Sequence, residues 1–153
     1  MIFTPPQNIA TRDFTKKSVF LAGSIEMGKA EKWQSHESRL LRDKGLNVFN
    51  PRRSDWDSTW SQDFTNPNFS QQVNWELDAL DTADYIIFYF QPGTVSLIRL
   101  LELGIHIARS KCLVCCPDGF QRKGNVDIIC ARYNVPIFED MLDLNRHLLN
   151  IID

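Results

Sequence analysis

The sequence has no long apolar run, no excess of basic residues and no secretory leader, and each absence excludes a class of protein. Its longest apolar run, Tyr85–Phe90, is far shorter than the roughly 18 residues that predict a transmembrane helix. Basic residues number 17 against 19 acidic ones, and neither end forms a basic arm, which argues against a nucleic-acid partner. The opening MIFTPPQNIATRD lacks the apolar region of a signal peptide. We therefore expect a cytoplasmic protein with no membrane partner.

Cysteine is also scarce, and its placement argues against a disulfide framework or a metal centre. The four cysteines, which lie within or beside apolar segments, are Cys112, Cys115, Cys116 and Cys130. In a reducing cytosol such residues act as small core side chains. No histidines cluster near them at the spacing of metal ligands. We therefore predict neither a metal site nor another cofactor.

Short apolar runs alternate with amphipathic stretches along the chain, a pattern typical of an α/β fold with a parallel sheet. The length suits a single domain, residues 1–153, with 1–17 as a surface lead-in. The predicted strands are Val19–Ala22, Leu46–Phe49, Tyr85–Phe90, Lys111–Cys116 and Val135–Phe138. The predicted helices are Lys29–Lys44, Ser70–Thr82, Ser96–Arg109, Asn125–Tyr133 and Asp140–Ile151. The predicted architecture is doubly wound (flavodoxin-like or Rossmann-like), with five parallel strands.

Apolar spacing predicts which face of each central helix is buried. In Ser70–Thr82 the predicted buried stripe is Val73, Leu77 and Leu80, and Glu76 flanks it. In Ser96–Arg109 the predicted sheet-facing residues are Leu97, Leu100, Leu101, Gly104, Ile107 and Ala108. Glu102 is predicted to lie beside this second stripe, near the carboxyl ends of the strands.

Open parallel sheets bind ligands beyond the carboxyl ends of their strands, and the loop after the first predicted strand has suitable residues. Gly23 and Ser24 are small enough to let backbone amides approach a ligand, and the following helix start favours an anion. An ordinary tight turn capped by Ser24 explains the same residues.

The loop after the second predicted strand offers charged and aromatic groups. Arg52 and Arg53 present rigid donors suited to a carboxylate or phosphate, and Trp56 offers a face on which a base can stack. The alternative is a solvated loop in which Trp56 is a buried anchor and the arginines pair with Asp55 or Asp57. The whole stretch Arg52–Phe69 has neither helical nor strand periodicity, which in a compact domain often marks a functional loop.

Two glutamates near strand ends are candidates for acid–base or nucleophilic chemistry. A partly buried Glu76 can serve as a general acid, although a glutamate in such a position is often a surface residue. Glu102 is either a group kept for chemistry or a structural carboxylate paired with Arg99 or Arg109.

Together these segments resemble the nucleoside 2-deoxyribosyltransferase superfamily, which also contains nucleoside 5′-monophosphate N-glycosidases. The resemblance covers most of the chain from Val19 to Phe138. Its matching segments occur in the order FLAGSI (Phe20–Ile25), NPRRSDW (Asn50–Trp56), WELDALDTADYIIFYF (Trp75–Phe90), LLELG (Leu100–Gly104) and GNVDII (Gly124–Ile129).

The resemblance implies that Glu102 is a nucleophile that attacks the anomeric carbon of a nucleoside and forms a glycosyl-enzyme. Glu76 aligns with the acidic residue, usually an aspartate, that meets the leaving base. Ser96 aligns with a serine that contacts the 5′ end of a nucleotide, and Asn125 with an asparagine given by a neighbouring subunit. The full set of expected substrate-binding residues is Gly23, Ser24, Ile25, Arg52, Arg53, Asp55, Trp56, Ser96, Asn125 and Asp127.

The leading hypothesis is an enzyme that cleaves the N-glycosidic bond of a (deoxy)nucleoside or nucleotide and transfers the sugar to another base. One alternative is hydrolysis of a nucleoside 5′-monophosphate, and another is a non-catalytic nucleotide-binding module. The expected partners are a small nucleoside or nucleotide and further copies of the chain, as a homodimer or higher homo-oligomer.

The sequence departs from the better-known members of the superfamily in two places. Ile98-Arg99-Leu100 stands where glycines often precede the nucleophile, and the long Arg52–Phe69 loop has no close counterpart.

Overall fold

A computed structural model describes residues 1–24 and 32–152 and has an α/β fold with a parallel sheet. Strands and helices alternate along most of the chain. The strands are β1 (Ile2–Phe3), β2 (Ser18–Gly23), β3 (Asn47–Phe49), β4 (Tyr85–Tyr89), β5 (Cys112–Cys115) and β6 (Ile137–Phe138). The helices are α1 (Trp33–Asp43), α2 (Pro67–Thr82), α3 (Leu97–His106), α4 (Lys123–Arg132) and α5 (Met141–Ile152). The predicted start of the first helix at Lys29 lies outside the described residues.

The prediction of five strands is wrong, because β1 adds a sixth. Its two residues pair in parallel with β3, Ile2 with Val48 and Phe3 with Phe49. Phe3 is buried, and its ring centroid lies 5.8 Å from that of Phe49. This part of the predicted lead-in therefore belongs to the core. A strand of two residues is too short to produce the alternation by which strands are predicted.

The described chain divides into two compact units, and the first comprises residues 1–21 and 32–84. Here β3 pairs in parallel with both β1 and β2. The sequence of β2, SVFLAG, is buried at every position, as expected for a parallel strand covered on both faces. Phe20, Leu41 and Phe49 are fully buried and form part of this unit's core.

The described part of the second unit comprises residues 22–24 and 85–152. In it β5 pairs in parallel with β4, from Ile86 opposite Cys112 to Tyr89 opposite Cys115, and also with β6. Phe88, Phe90 and Phe120 provide aromatic packing, with ring centroids 6.2 Å apart for the first pair and 5.0 Å for the second. None of the helices among the described residues combines the length and apolar character needed to cross a bilayer.

Helix α2 begins three residues before the predicted Ser70. The Asn66 side chain accepts hydrogen bonds from the backbone N–H groups of Asn68 (3.0 Å) and Phe69 (3.3 Å). Pro67, which has no N–H to satisfy, occupies the first turn. Asn66-Pro67 is therefore a regular helix start that the apolar spacing did not reveal.

The predicted buried faces of the two central helices are confirmed only at Leu80 and Ile107 and are wrong at most other positions. In α2 the buried residues are Gln72, Trp75, Ala79 and Leu80, whereas Val73 and Leu77 are 38% and 39% exposed. In α3 the buried residues are Arg99, Glu102, Leu103 and His106, whereas Leu97 and Leu101 are 69% and 61% exposed. Both helices thus bury polar side chains together with apolar ones and leave several large apolar side chains exposed. An inward polar face is what a binding site needs, and an outward apolar face is unusual for an isolated chain.

A hydrogen-bonded clamp joins the residue before β4 to the start of β2 within the first unit. Asp84 Oδ2 accepts from the backbone N–H and the hydroxyl of Ser18, both at 2.8 Å, and Asp84 Oδ1 lies 3.3 Å from Lys17 Nζ. Burial acts to raise the pKa of Asp84, but the bonds from Ser18 and Lys17 outweigh it and the pKa is lowered.

Replacing Asp84 by asparagine is expected to reduce the free energy of unfolding by about 1 kcal/mol at pH 7, since the side chain is 38% exposed and solvent screens part of the interaction. Because the folded pKa lies below the unfolded value of about 3.9, this stability is present above pH ~4 and is lost as pH falls through the folded pKa. Urea titrations at pH 7 and pH 3 measure it. Asp43→Asn, at a surface pair with Arg42, is the control. An Asp84→Asn deficit equal at both pH values would contradict the expectation.

The four cysteines are buried core residues, as their apolar neighbours predicted. Burial raises the pKa of Cys112 and Cys116 to about 11 and that of Cys115 and Cys130 to about 12. Since thiolate is the reactive form, we expect the native protein to resist a thiol-specific disulfide reagent at pH 8 and to react at all four sites in guanidinium chloride. One rapidly modified thiol in the native protein is the contrary result.

Candidate active site

In the second unit, three hydroxyl groups meet between the end of β2 and the start of α3. Ser96 Oγ contacts Ser24 Oγ and lies 2.9 Å from Thr94 Oγ1, which donates to the Gln91 carbonyl at 2.8 Å. Ser96, immediately before α3, has φ +53° and ψ +39°, a left-handed conformation that non-glycine residues rarely adopt. Such backbone strain is concentrated at functional sites.

A buried ion pair lies one turn further along α3. Arg99 Nη1 is 2.5 Å from Glu102 Oε2, and both side chains are less than a tenth exposed. Arg99 Nε also donates to the carbonyl oxygen of Gly23, the last residue of β2, at 3.2 Å. The second unit therefore brings together the predicted residues Gly23, Ser24, Ser96 and Glu102, with Arg99 as the link.

The chemistry open to this cluster follows from the charges. Glu102 and Arg99 are groups of opposite charge in hydrogen-bond contact, and a carboxylate is one of the side chains that act as nucleophiles in covalent catalysis. Of the two possibilities for Glu102, pairing with Arg99 is observed, and it is compatible with either a structural or a chemical role. His106, one turn beyond Glu102, is also buried on the inward face of α3.

In the first unit, Glu76 belongs to a separate polar network around the end of β3. Gln72 Nε2 donates to Glu76 Oε1 (2.7 Å) and to the carbonyl of Pro51 (2.9 Å). Arg52 Nη1 donates to Gln34 Oε1 at 3.3 Å, and burial lowers the pKa of Arg52. Glu76 and Arg52 are half-buried. Glu76 is thus neither a fully solvated surface residue nor a core one.

Two polar atoms of this network are buried without a hydrogen-bond partner in the described part of the chain: Gln34 Nε2, a donor, and Gln72 Oε1, an acceptor. Unsatisfied buried polar groups are uncommon in native proteins and call for an explanation, such as a bound molecule or water. Neither glutamine was a candidate at the sequence level, where nothing in its spacing distinguished it.

Arg53 is arranged differently from Arg52. Its guanidinium forms two hydrogen bonds with the Asp55 carboxylate, at 2.7 and 2.8 Å, and lies over the Trp60 ring at 5.2 Å. The hydrogen bond to Asp55 raises the pKa of Arg53. Trp56 packs edge-on against Trp60, with ring centroids 5.1 Å apart. The Arg53–Asp55 pairing weighed at the sequence level is therefore present.

The remaining predicted residues lie apart from the Glu102 cluster or outside the described chain. Asp127 Oδ1 is 3.3 Å from Lys123 Nζ, which also binds Glu139, so it belongs to a largely surface ion-pair group. Asn125 is exposed and lines a groove between α3 and α4. The groove is lined by Leu100, Leu103, Gly104, Asn125, Val126 and Ile129. Ile25 lies outside the described residues.

Metal chemistry has no obvious location here. Within residues 1–24 and 32–152, no group of three or more histidine, cysteine or acidic side chains is arranged to hold a metal ion. The buried residue of this cluster that sequence reasoning undervalued is Arg99, which it treated as a departure and a possible partner. Its spacing of three from Glu102, which places both on one helix face, was the available signal.

An α/β fold with polar clusters after its parallel strands is typical of proteins that bind small molecules at the strand ends. A model of the family described as nucleoside 2-deoxyribosyltransferase like matches residues 16–120, more than half of the chain. The chain therefore belongs to this family, which confirms the resemblance. The matched residues include Glu76, Ser96 and Glu102 but not Asn125 or Asp127.

The fold is also similar to that of a solved structure, described as the crystal structure of a conserved protein from Enterococcus faecalis V583. The TM-score is 0.59 at 11% sequence identity, and the alignment covers 90% of this chain and 97% of the other. At this identity the likeness supports the fold alone. No curated protein matches the chain.

Proposed function

We propose that this protein cleaves the N-glycosidic bond of a nucleoside or nucleotide through a covalent intermediate on Glu102 and transfers the sugar to another base. The observation that carries the proposal is the buried Glu102, paired with Arg99, in a chain of the nucleoside 2-deoxyribosyltransferase-like family. In the first step a Glu102 oxygen bonds to the anomeric carbon as the C–N bond breaks. The electron pair of the C–N bond leaves with the base. In the second step an acceptor base attacks that carbon and Glu102 leaves as a carboxylate.

The groups around the two glutamates suggest roles in substrate binding. Ser24 and Ser96 present hydroxyls beside the ion pair and are suited to the sugar or its 5′ end. Glu76, which accepts a hydrogen bond from Gln72, is proposed to meet the leaving base, as the family resemblance implies. The buried amide atoms of Gln34 and Gln72 offer a donor and an acceptor to a polar ligand group in the first unit.

We further propose that the protein acts as a homo-oligomer assembled through the α3–α4 face, defined by Leu97, Ile98, Leu101, Ile105 and Ile129. These side chains are between 42% and 69% exposed, an apolar content that isolated chains rarely leave in water. The groove between the helices contains Gly104, where an added Cβ meets no atom of residues 1–24 and 32–152 within 4 Å. Packing among these residues therefore does not explain this glycine. Asn125 at the same groove is placed to reach a second copy.

The direct test is a panel of nucleosides and nucleoside 5′-monophosphates, each incubated with and without a free acceptor base. We expect base release by the wild type, faster with acceptor present, and formation of a new nucleoside. Glu102→Ala is the comparison, and equal release by both proteins argues against the proposal. The readout, chromatographic separation of bases and nucleosides, distinguishes transfer from hydrolysis directly.

Hydrolysis of a nucleoside 5′-monophosphate is the second candidate, and Arg52 favours it. The Arg52 guanidinium, half-buried after β3, presents a rigid set of donors that suits a phosphate. In the same panel this activity appears as base release that needs the 5′-phosphate and no acceptor. A non-catalytic binding module is distinguished by a thermal shift with nucleotide and no turnover of any substrate.

A further inference from the structure

Arg99 is buried on the inward face of α3, a position where an arginine needs a specific reason. Charged side chains are almost never buried unless they are paired, and a buried ion pair gains its stability only with good geometry. The pair with Glu102 has that geometry, at 2.5 Å between Nη1 and Oε2 and with a spacing of three residues on one helix. A leucine pair at these positions would satisfy packing equally well.

The guanidinium also bonds outside its own helix. While Nη1 points to Glu102, Nε donates to the carbonyl of Gly23 at the end of β2, 3.2 Å away. Since the group is planar and rigid, two bonds in two directions fix its orientation. The Glu102 carboxylate is therefore held by a side chain that is itself anchored to the backbone of the strand end.

We propose that Arg99 is the positioning residue for Glu102 and that it also promotes release of the sugar from the glycosyl-enzyme. The inference rests on the proposed function. Bonding of Glu102 to the anomeric carbon removes the negative charge that Arg99 pairs with, whereas cleavage of that ester restores it. Arg99 thus favours the free Glu102 carboxylate over the glycosyl ester. If Glu102 attacks through Oε1, the contact between Oε2 and Arg99 stays in place in both steps.

The two half-reactions balance without any further reactant. In the first, one carboxylate oxygen forms the C–O bond, the C–N bond breaks, and the base departs with the electron pair and takes up a proton. In the second, an acceptor base or water forms a bond to the same carbon, loses a proton, and returns the C–O electron pair to Glu102. Arg99 stays protonated in both, acting only through its charge and its two hydrogen bonds.

The inference is tested with Arg99→Leu, Arg99→Gln and Arg99→Lys, using the substrate that the wild type turns over best. Acid quenching during turnover, followed by intact mass measurement, gives the fraction of enzyme carrying the sugar. We expect this fraction to rise by about tenfold or more in the two neutral variants as turnover falls. The lysine variant should return both quantities toward wild type, because it restores the charge.

Folding is controlled separately from chemistry. Circular dichroism and thermal unfolding select the variants that are folded at the assay temperature, and Arg99→Gln keeps a hydrogen-bond donor if Arg99→Leu is too unstable. Arg146→Leu, which removes an exposed pair of the same three-residue spacing with Asp143, is the matched control and should behave as wild type. This control also shows whether loss of any helical ion pair affects the measurement.

The outcomes separate this inference from the function on which it rests. Suppose that the wild type releases base and Glu102→Gln does not. If folded Arg99→Leu or Arg99→Gln then shows wild-type rates and ester fractions, the role of Arg99 alone is overturned. A lysine variant as impaired as the neutral ones overturns the charge argument. Equal release by wild type and Glu102→Gln instead removes the proposed function itself.

Discussion

Replacing Glu102 by glutamine is expected to lower the rate of base release by a factor on the order of 10⁴ or more, because losing a nucleophile costs that much in enzymes that use covalent catalysis. Glutamine has the same shape but a much less nucleophilic amide. The wild type should show a mass increase of one sugar after acid quenching, and Glu102→Gln should show none. The measurement is base release under saturating substrate, with the quench performed on the same samples.

The ion pair complicates this substitution and also supplies its control. Glu102→Gln leaves Arg99 buried without its carboxylate, which is expected to reduce the free energy of unfolding by about 3–5 kcal/mol. Glu102→Asp keeps the charge but shortens the side chain, so it should be more stable than Glu102→Gln. Because a shift of about 1 Å in a reacting atom can cost about 10²-fold, its activity should still be low.

The comparison of the two variants decides between a structural and a catalytic Glu102. If Glu102 serves only to neutralise Arg99, Glu102→Asp should restore stability, and any base release should follow the folded fraction of each variant. A nucleophile predicts low activity in a well-folded Glu102→Asp. Folded Glu102→Gln that releases base as fast as wild type contradicts the assignment of Glu102 as nucleophile.

The orientation of α3 shows where sequence reasoning succeeds and where it fails. Motif order identified Glu102 and Ser96, and the family match includes both. The apolar spacing, however, placed Leu97 and Leu101 against the sheet, since a helix normally buries its apolar stripe. In the structure the helix buries Arg99, Glu102 and His106 instead. A hydrophobic pattern cannot reveal this arrangement, because the same stripe suits either a core or an interface.

The first unit gives the same result for different residues. The arginines of the loop after β3 were predicted as candidates for an anionic ligand, and only the structure distinguishes Arg53, bonded to Asp55, from Arg52, bonded to Gln34. The side chains that hold Glu76 and Arg52 in place come from α1 and α2, far from them in sequence for Gln34 and four residues away for Gln72. The Gln34–Arg52 pairing follows from tertiary packing and has no local sequence signal, whereas the Gln72–Glu76 pairing joins neighbours on one helix face.

The outward apolar residues of α3 lead to the second large expected effect. Replacing Leu101 by glutamate is expected to convert the proposed homo-oligomer to a monomer at micromolar concentration. Leu101 is 61% exposed within one chain, so the monomer itself should change in stability by no more than about 0.5 kcal/mol. At a symmetric interface each substitution occurs twice, and one unpaired buried charge costs about 3 kcal/mol or more. The dissociation constant should therefore rise by at least about 100-fold.

Sedimentation velocity and light scattering on the same preparations measure the mass. Phe64→Glu is the matched control, since Phe64 is an apolar side chain that is 92% exposed, on the loop before α2, and not part of the α3–α4 face. It should leave the oligomer intact. Gly104→Ala is a second comparison, because it improves helix propensity by about 1 kcal/mol while partly filling the groove. A more stable chain that associates more weakly is the expected result.

Turnover connects the assembly to the chemistry. If Asn125 of one copy completes the site of another, the Leu101→Glu monomer should lose activity although its own Arg99–Glu102 pair is unchanged. The Asn125→Ala variant should also lose activity, but it should remain an oligomer. A wild-type chain that is monomeric at all concentrations contradicts the proposed interface. An active Leu101→Glu monomer shows instead that the inward polar face of α3 is sufficient for the reaction, and that its outward apolar face serves association alone.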